Sequence, residues 1–391
     1  MIDTKNFKTK TEFIDRHNVN MSGSWGIALD LGYSAVKGYA PNKCYRFPAY
    51  ARKTEGKLLK MGKSNPTDIL YKDKETGEVW AVGEMAQDMI RTGESQDSNL
   101  SLYGRNRYFA PMFLVLARTG IGIGLMNNQI GSPAGRKIII QTGLPPKYLK
   151  SDTPLLIEAL SGVHEFELKV GGGEWKTFSF ALTDSDIRVM PQPMGTFISI
   201  ATGQDGKTAP GADRFLEKNV LIVDPGFGTF DTYSIAGKLV TDCETFDDLG
   251  MKAVLQRTAD KIYNKYGTEI QVAGIQKNLA TGTFTKFDRK TMKAENIGFA
   301  DILEESSKEV CNEAIERMKN IYNNMLDHEY LVITGGTGAA WESYFREHFK
   351  FMESLKIISG AQNDSLSPVF SNVRGYYMFL QSFLKKQEAS R

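Results

Sequence analysis

Three short stretches place glycines directly after apolar, strand-like runs: Asp30 to Lys37 (DLGYSAVK), Asp224 to Asp231 (DPGFGTFD) and Ile333 to Gly338 (ITGGTG). A tight turn between two strands directs backbone N–H groups toward one concave point, and glycine lets a ligand approach that backbone. Two such hairpins can grip a polyphosphate from both sides. Asp30 and Asp224 end their strands and would point into the same cleft. A carboxylate does not bind phosphate directly, but it can hold the waters of a hydrated Mg²⁺. Lys37 offers a point charge to phosphate oxygens. The third turn opens a helix, whose first N–H groups suit a nucleoside or an α-phosphate. Any one of these turns alone reads as an ordinary connection. The set of three, about 190 and then about 110 residues apart, points to a nucleotide.

The elements that must position these turns follow from the pattern around them. Trp25 to Leu31 is an apolar strand with one acid, Gly32-Tyr33-Ser34 a turn, and Val36 to Ala40 a second strand, which is a hairpin signal. Strand-like text continues at Tyr45 to Tyr50 and Val79 to Val82, and residues 84–126 turn helical. Within them NRYFAPMFLVLARTG reads as a buried helix that tolerates Pro111 only near its start. A short strand at Lys137 to Thr142, a helix over 151–160 and a β-rich stretch from Glu165 to Met190 follow. The second half repeats the opening: strand, acid, glycine turn, strand, then an amphipathic helix with Asp247 and Asp248 at its start, favourable to the helix dipole. A long helix from Ile302 to Leu326, a helix at Ala339 to Phe349 and a last helix from Ser371 complete the chain. Helices alternating with apolar strands give an α/β class.

Composition bounds the rest. The 391 residues are 41% apolar and 24% charged, which excludes a disordered or collagen-like chain and leaves room for two or three domains. Forty-eight Lys and Arg against 46 Asp and Glu leave +2, no bulk charge for nucleic acid or a membrane surface. Three scattered cysteines, Cys44, Cys243 and Cys311, suggest neither a disulfide framework nor a zinc site and fit a reducing cytosol. The longest apolar run, Phe109 to Ala117, is too short to span a membrane. The first twenty residues lack the apolar region of a secretory signal. His17, His164, His328 and His348 lie away from the glycine turns and read as surface or satisfied core residues. Ala201 to Thr208 approximates a P-loop but has Ala at the first glycine position, so it reads as an exposed loop. Gly171-Gly172-Gly173 reads as a hairpin loop, Tyr103 to Tyr108 (YGRNRY) as a helix start with solvated arginines, and residues 1–24 as an extension, with a short helix at Thr11 to His17 and otherwise a tail.

The three turns resemble motifs of the actin-like ATPase superfamily. DLGYSAVK is similar to its phosphate-1 motif, DPGFGTFD to its phosphate-2 motif in the form seen in heat-shock chaperone ATPases, YLVITGGTGAA to its adenosine motif and SNVRGYYMFL to its second connecting segment. QTGLPPKY and VMPQPMGTFIS resemble bacterial ParM-type plasmid-segregation actins, so the resemblance runs over residues 26–380. It implies a duplicated, ribonuclease H-like two-domain fold with a central nucleotide cleft: residues 25–191 with 365–391 as domain I, and 192–364 as domain II. It implies ATP (or GTP) and Mg²⁺ as cofactors. Asp30 and Asp224 match the acids that hold metal-bound water, and Lys37 the phosphate lysine. Gly32, Tyr33 and Ser34 match the phosphate-1 turn. Gly226, Phe227, Gly228 and Thr229 match the phosphate-2 loop, with Phe227 where chaperones carry glycine. Gly335, Gly336 and Thr337 match the adenosine turn. Gln192 matches the residue that positions the attacking water, and a neutral amide there orients water but is a poor base.

For function the resemblance implies a cytoplasmic nucleoside triphosphatase that assembles into filaments and moves plasmids through a DNA-binding adaptor of the ParR type, so that its contact with DNA is indirect. A non-polymerising small-molecule kinase of the same superfamily is the alternative, though it would need a carboxylate base beside the acceptor hydroxyl. A chaperone would need a separate substrate-binding domain.

Overall fold

The computed structural model describes residues 3–20, 23–54, 64–90, 105–126, 132–288 and 290–390. The chain divides into two compact units. Unit I is Thr9–Met89, Ser98–Arg214 and Gly360–Arg391; unit II is Met1–Lys8, Ile90–Asp97 and Phe215–Ser359.

Unit I contains β1 (Glu12–Asp15), β2 (Trp25–Leu31), β3 (Ala35–Ala40), β4 (Lys43–Pro48), β5 (Ala51–Lys53), β6 (Ile69–Asp73), β7 (Val79–Val82), β8 (Ile138–Leu144), β9 (Gly162–Val170), β10 (Lys176–Leu182) and β11 (Ile187–Pro191). Its helices are α1 (Glu84–Asp88), α2 (Pro111–Leu125), α3 (Leu149–Leu160) and α4 (Gln192–Ala201). The main sheet runs β1-β4-β3-β2-β8-β11, and a second sheet runs β10-β9-β6-β7-β5. Every residue of β2 is buried, as a central strand covered on both faces requires. The buried helix expected around Pro111 is α2, with Pro111 at its first position, where the missing N–H costs nothing. The triple glycine lies in the β9–β10 hairpin loop, as expected.

Unit II contains β12 (Val220–Pro225), β13 (Phe230–Ala236), β14 (Leu239–Phe246), β15 (Thr283–Asp288), β16 (Lys293–Gly298), β17 (Tyr330–Ile333) and β18 (Lys356–Ser359). The helix α5 (Arg214–Glu217) leads into it, and α6 (Met251–Tyr266), α7 (Val272–Asn278), α8 (Ala300–Ile321) and α9 (Gly335–His348) belong to it. Its main sheet runs β14-β13-β12-β17-β18. The final helix, α10 (Ser371–Ala389), returns to unit I. The two main sheets share one plan. In unit I, β2 pairs antiparallel with β3 and parallel with β8, which pairs parallel with β11. In unit II, β12 pairs antiparallel with β13 and parallel with β17, which pairs parallel with β18.

The first residues depart from expectation. Thr11 to His17 is not a helix: Glu12–Asp15 is an edge strand paired antiparallel with β4. Phe13 and Ile14 pack into two different apolar clusters, on opposite faces of the sheet, which is strand alternation. Nor is the segment a loose tail. Arg16 donates to Asp364, Tyr377 Oη donates to the Val19 carbonyl at 2.7 Å, and the Gly23 amide donates to Glu388. Residues 4–7, a short 3-10 turn, belong to unit II, where Thr4 Oγ1 donates to the Leu279 carbonyl at 2.8 Å. The unit borders also differ from those read in the sequence, at Arg214/Phe215 and Ser359/Gly360 rather than before Gln192 and Ser365. The reason is α4, which crosses α10 so closely that a Cβ on Gly375 would fall 1.7 Å from the Gly195 carbonyl oxygen. That contact keeps Gln192–Ala201 in unit I. The helical expectation for residues 84–126 is met at α1 and α2; its stretch from 91 to 104 lies outside the described residues.

Candidate functional site

Each unit carries its own set of candidate residues. In unit I, Leu29 pairs with Thr142 on β8, and Thr142 with Val189 on β11. Continuing that register puts Leu31, Leu144 and Pro191 in one row, where all three parallel strands end. The Gly32–Ser34 turn and Gln192 are the next residues along, on one sheet edge and roughly 10 Å apart by strand spacing. That edge, the carboxyl end of parallel strands, is where ligands bind in α/β sheets.

Across the unit I hairpin Asp30 faces Lys37, and Lys37 Nζ lies 2.7 Å from Asp30 Oδ2. The other oxygen, Oδ1, is buried without a partner among the described residues. That orphaned acceptor fits a metal-bound water. The amides of Gly32 and Ser34 have no partner among the described residues, while the Ser34 carbonyl is tied to the Ala49 amide at 2.9 Å. A Cβ on Gly32 would lie 2.9 Å from the Ala35 carbonyl oxygen, so the turn closes only with glycine there.

Gln192 is the first residue of α4, and that helix is held along its length. Thr196 Oγ1 donates to Asn372 Oδ1 at 2.6 Å. At the other end Arg374, 1% exposed, donates to the carbonyls of Ser199, Thr202 and Gly203 at 2.8, 3.0 and 3.1 Å. These carbonyls lie in the last turn of α4 and just beyond it, where a helix end leaves acceptor capacity to be filled. Asp364 fixes Arg374 through Nε at 2.9 Å and also accepts from Arg16. The two guanidinium groups hold the Asp364 carboxyl below its ordinary range despite burial, which acts the other way.

In unit II, Asp224 is the penultimate residue of β12 and follows the last pair with β17, Val223 with Ile333. Gly335 follows β17 with φ +77°, and a Cβ there would sit 2.5 Å from Asp224 Oδ1. Only glycine fits that left-handed backbone against the carboxylate. Thr337 Oγ1 donates to the Gly226 carbonyl at 2.9 Å, so the turns that follow β12 and β17 are tied together. The amides of Met251 and Lys252, at the start of α6, donate to the carbonyls of Gly226 and Phe227 at 3.1 and 2.8 Å. The turn's carbonyls are therefore spent on α6. The Gly226 amide is spent too, on the Thr229 carbonyl at 2.8 Å. Gly228 and Thr229 keep amides without a partner among the described residues. Gly336 and Thr337 stand in the first turn of α9, which no side chain caps.

Two residues here escaped the sequence reading. Asp231 faces Asp224 across the hairpin, is buried, and accepts from Thr229 Oγ1 at 2.8 Å and Thr245 Oγ1 at 2.5 Å. Burial, with Asp224 and Asp247 nearby, pushes its carboxyl up to about 7 against the pull of the two hydroxyls. The cross-strand register of the two acids was the available signal. Arg107, expected in solvent, is 8% exposed. No pattern of charge marks it as buried. Tyr103 and Gly104 of the same stretch lie outside the described residues.

The remaining expectations have simple outcomes. His164 Nε2 lies 2.9 Å from the Leu160 carbonyl and its Nδ1 accepts from Arg118 Nε at 3.1 Å, a satisfied core position; His328 is buried too, with Nε2 3.0 Å from Ser234 Oγ, but its Nδ1 has no partner among the described residues. The Ala201–Thr208 loop closes on itself through a Thr202–Thr208 bridge and leaves Lys207 exposed. Among the described residues no helix is long and apolar enough to cross a membrane.

Residues 28–195 match the N-terminal domain of actin-like proteins. Among solved structures the chain is similar to a non-polymerisable quadruple mutant of pCBH ParM, at 21% identity over 92% of this chain and 100% of that one, with a TM-score of 0.70. It is similar to a 15-stranded ParM filament from Clostridium botulinum, at 21% identity over 92% and 99%, TM-score 0.67. It is also similar to Ta0583, an archaeal actin homologue, in complex with ADP, at 14% identity over 92% and 99%, TM-score 0.59. No curated protein matches the chain. The fold is actin-like.

Proposed function

We propose that this actin-like chain binds ATP (or GTP) with Mg²⁺, hydrolyses it, and assembles with copies of itself into a filament that segregates DNA. In this reading the amides of Gly32, Ser34, Gly228 and Thr229, with Lys37, serve the phosphates, and Gly335, Gly336 and Thr337 serve the nucleoside side. Asp30 and Asp224 hold Mg²⁺ through its waters. Bound there, the ion would neutralise phosphate charge. Gln192 orients the attacking water through its amide and leaves proton removal slow, so turnover depends on assembly completing the site. DNA is reached through a DNA-binding adaptor of the ParR type, and the work takes place in the cytoplasm.

The observation that carries the reading is the repeat. Each unit places an acid one residue before the end of a buried strand, followed by a glycine turn with amides unpaired among the described residues, at the carboxyl edge of a sheet of the same plan. The likeness to ParM proteins, one of them a filament, supports self-assembly; the archaeal homologue with ADP supports a nucleotide.

Light scattering at micromolar chain with Mg²⁺ and ATP, GTP, ADP or no nucleotide, with phosphate release in parallel, tests it. A rise with triphosphate and a later fall is expected, and the nucleotide giving the larger rise sets the base. Flat scattering, with nucleoside diphosphate formed only when a small hydroxylated acceptor is added and no free phosphate released, would replace this reading with the kinase.

A further inference from the structure

The unit I turn is held from beneath by one side chain. Arg107 lies in a short 3-10 segment, Arg105–Phe109, just before α2. Its guanidinium carbon is 4.5 Å from the centre of the Tyr33 ring, 5.3 Å from that of Phe113 and 5.7 Å from that of Tyr108. Its Nη2 donates to the carbonyl of Leu31. One planar cation therefore grips the residues on both sides of Gly32, the carbonyl before it and the ring after it. Arg107 is buried, and its Nε has no partner among the described residues.

The charges around the turn are unequal. Lys37 and Asp30 cancel as a close pair. Among the described residues no carboxylate pairs with Arg107. A buried guanidinium with no counter-charge among the described residues is costly, and an anion arriving at the turn would relieve that cost. A lysine could not do the same work, because the fork and the flat face are both used.

We propose that Arg107 is the positioning residue of the phosphate-1 turn: it holds the Leu31 carbonyl and the Tyr33 ring, so that the Gly32 and Ser34 amides stay available, and it supplies the positive charge that favours a polyphosphate there. The inference rests on the reading of that turn as a phosphate site.

Calorimetric titration of the full chain with Mg²⁺·ADP and with AMP tests it, on wild type, Arg107→Met and Arg107→Lys, with thermal melts of each. The guanine pair replaces the adenine pair if the scattering assay selects GTP. Arg107→Met should weaken the diphosphate about tenfold, the loss expected for a charge-assisted contact, while the monophosphate changes less than about twofold. Arg107→Lys should recover only part of the loss. If Arg107→Met does not fold, Tyr33→Leu removes the stacked ring from a half-exposed position and should lower diphosphate affinity about threefold, again sparing the monophosphate. Equal losses for both nucleotides, or none, would overturn the proposal. A wild-type chain that binds neither nucleotide would instead overturn the phosphate-site reading itself.

Discussion

In unit I the residue facing the strand-end acid across the hairpin is a lysine; in unit II it is a second acid. Asp30 and Lys37 make a close pair, shielded from water. Asp224 faces Asp231, whose charge is opposed by burial and by Asp224 itself. The backbone plan is common to both, and the charge balance is not. Unit I carries its own neutralising cation, whereas in unit II burial and the neighbouring Asp224 both favour the protonated form of Asp231. Equivalent turns on equivalent sheets can therefore differ in charge balance.

The helix crossings differ more strongly than the hairpins. Gly375→Ala in unit I would drive a methyl group into the Gly195 backbone, which cannot yield, and should cost about 3 kcal/mol. Gly338→Ala in unit II meets Ile333 at 3.1 Å and Pro225 at 3.3 Å and should cost less than about 1 kcal/mol. Urea unfolding of both variants measures the contrast, and equal costs would show that the α4–α10 crossing is not special.

Lys37→Met makes unit I resemble unit II by leaving Asp30 buried and uncompensated. Phosphate release at saturating triphosphate should fall at least tenfold, roughly the worth of a charge-assisted contact to the ligand. Unchanged release would place the essential cation elsewhere.

Asp231→Asn removes the second acid. The folded carboxyl titrates near 7, above its ordinary 3.8, so between those values the folded chain holds a proton that the unfolded chain releases. Stability from this group is therefore full below about pH 4, declines as pH rises to about 7, and is level above that. The difference in urea midpoint, wild type minus Asp231→Asn, should fall from pH 5 to pH 7. A difference constant with pH would mean that Asp231 is ionised throughout.

The smallest effect is expected at the P-loop-like loop. Lys207 is exposed on a loop closed by its own bridge, so Lys207→Ala should leave nucleotide affinity and phosphate release unchanged, in contrast to Lys37→Met. A loss there would reopen that loop as a phosphate site.

The amino-acid sequence by itself determined the strand–acid–glycine–strand units, the α2 helix and the turn that opens α9. Each is a local pattern: apolar runs of strand length, glycine where a backbone must close, and proline where a helix can begin. Tertiary structure decided what local pattern leaves open. Glu12–Asp15 has too few residues to choose its own state, and the open edge of β4 made it a strand. Arg107 reads as a surface charge until Tyr33, Phe113 and the Leu31 carbonyl close around it. Gln192 was legible as a residue, but its fixed position depends on Gly195 against Gly375 and on Arg374, about 180 residues later in the chain. Propensity acts over a few residues, whereas burial, register and charge pairing are set by whichever distant segments the fold brings alongside.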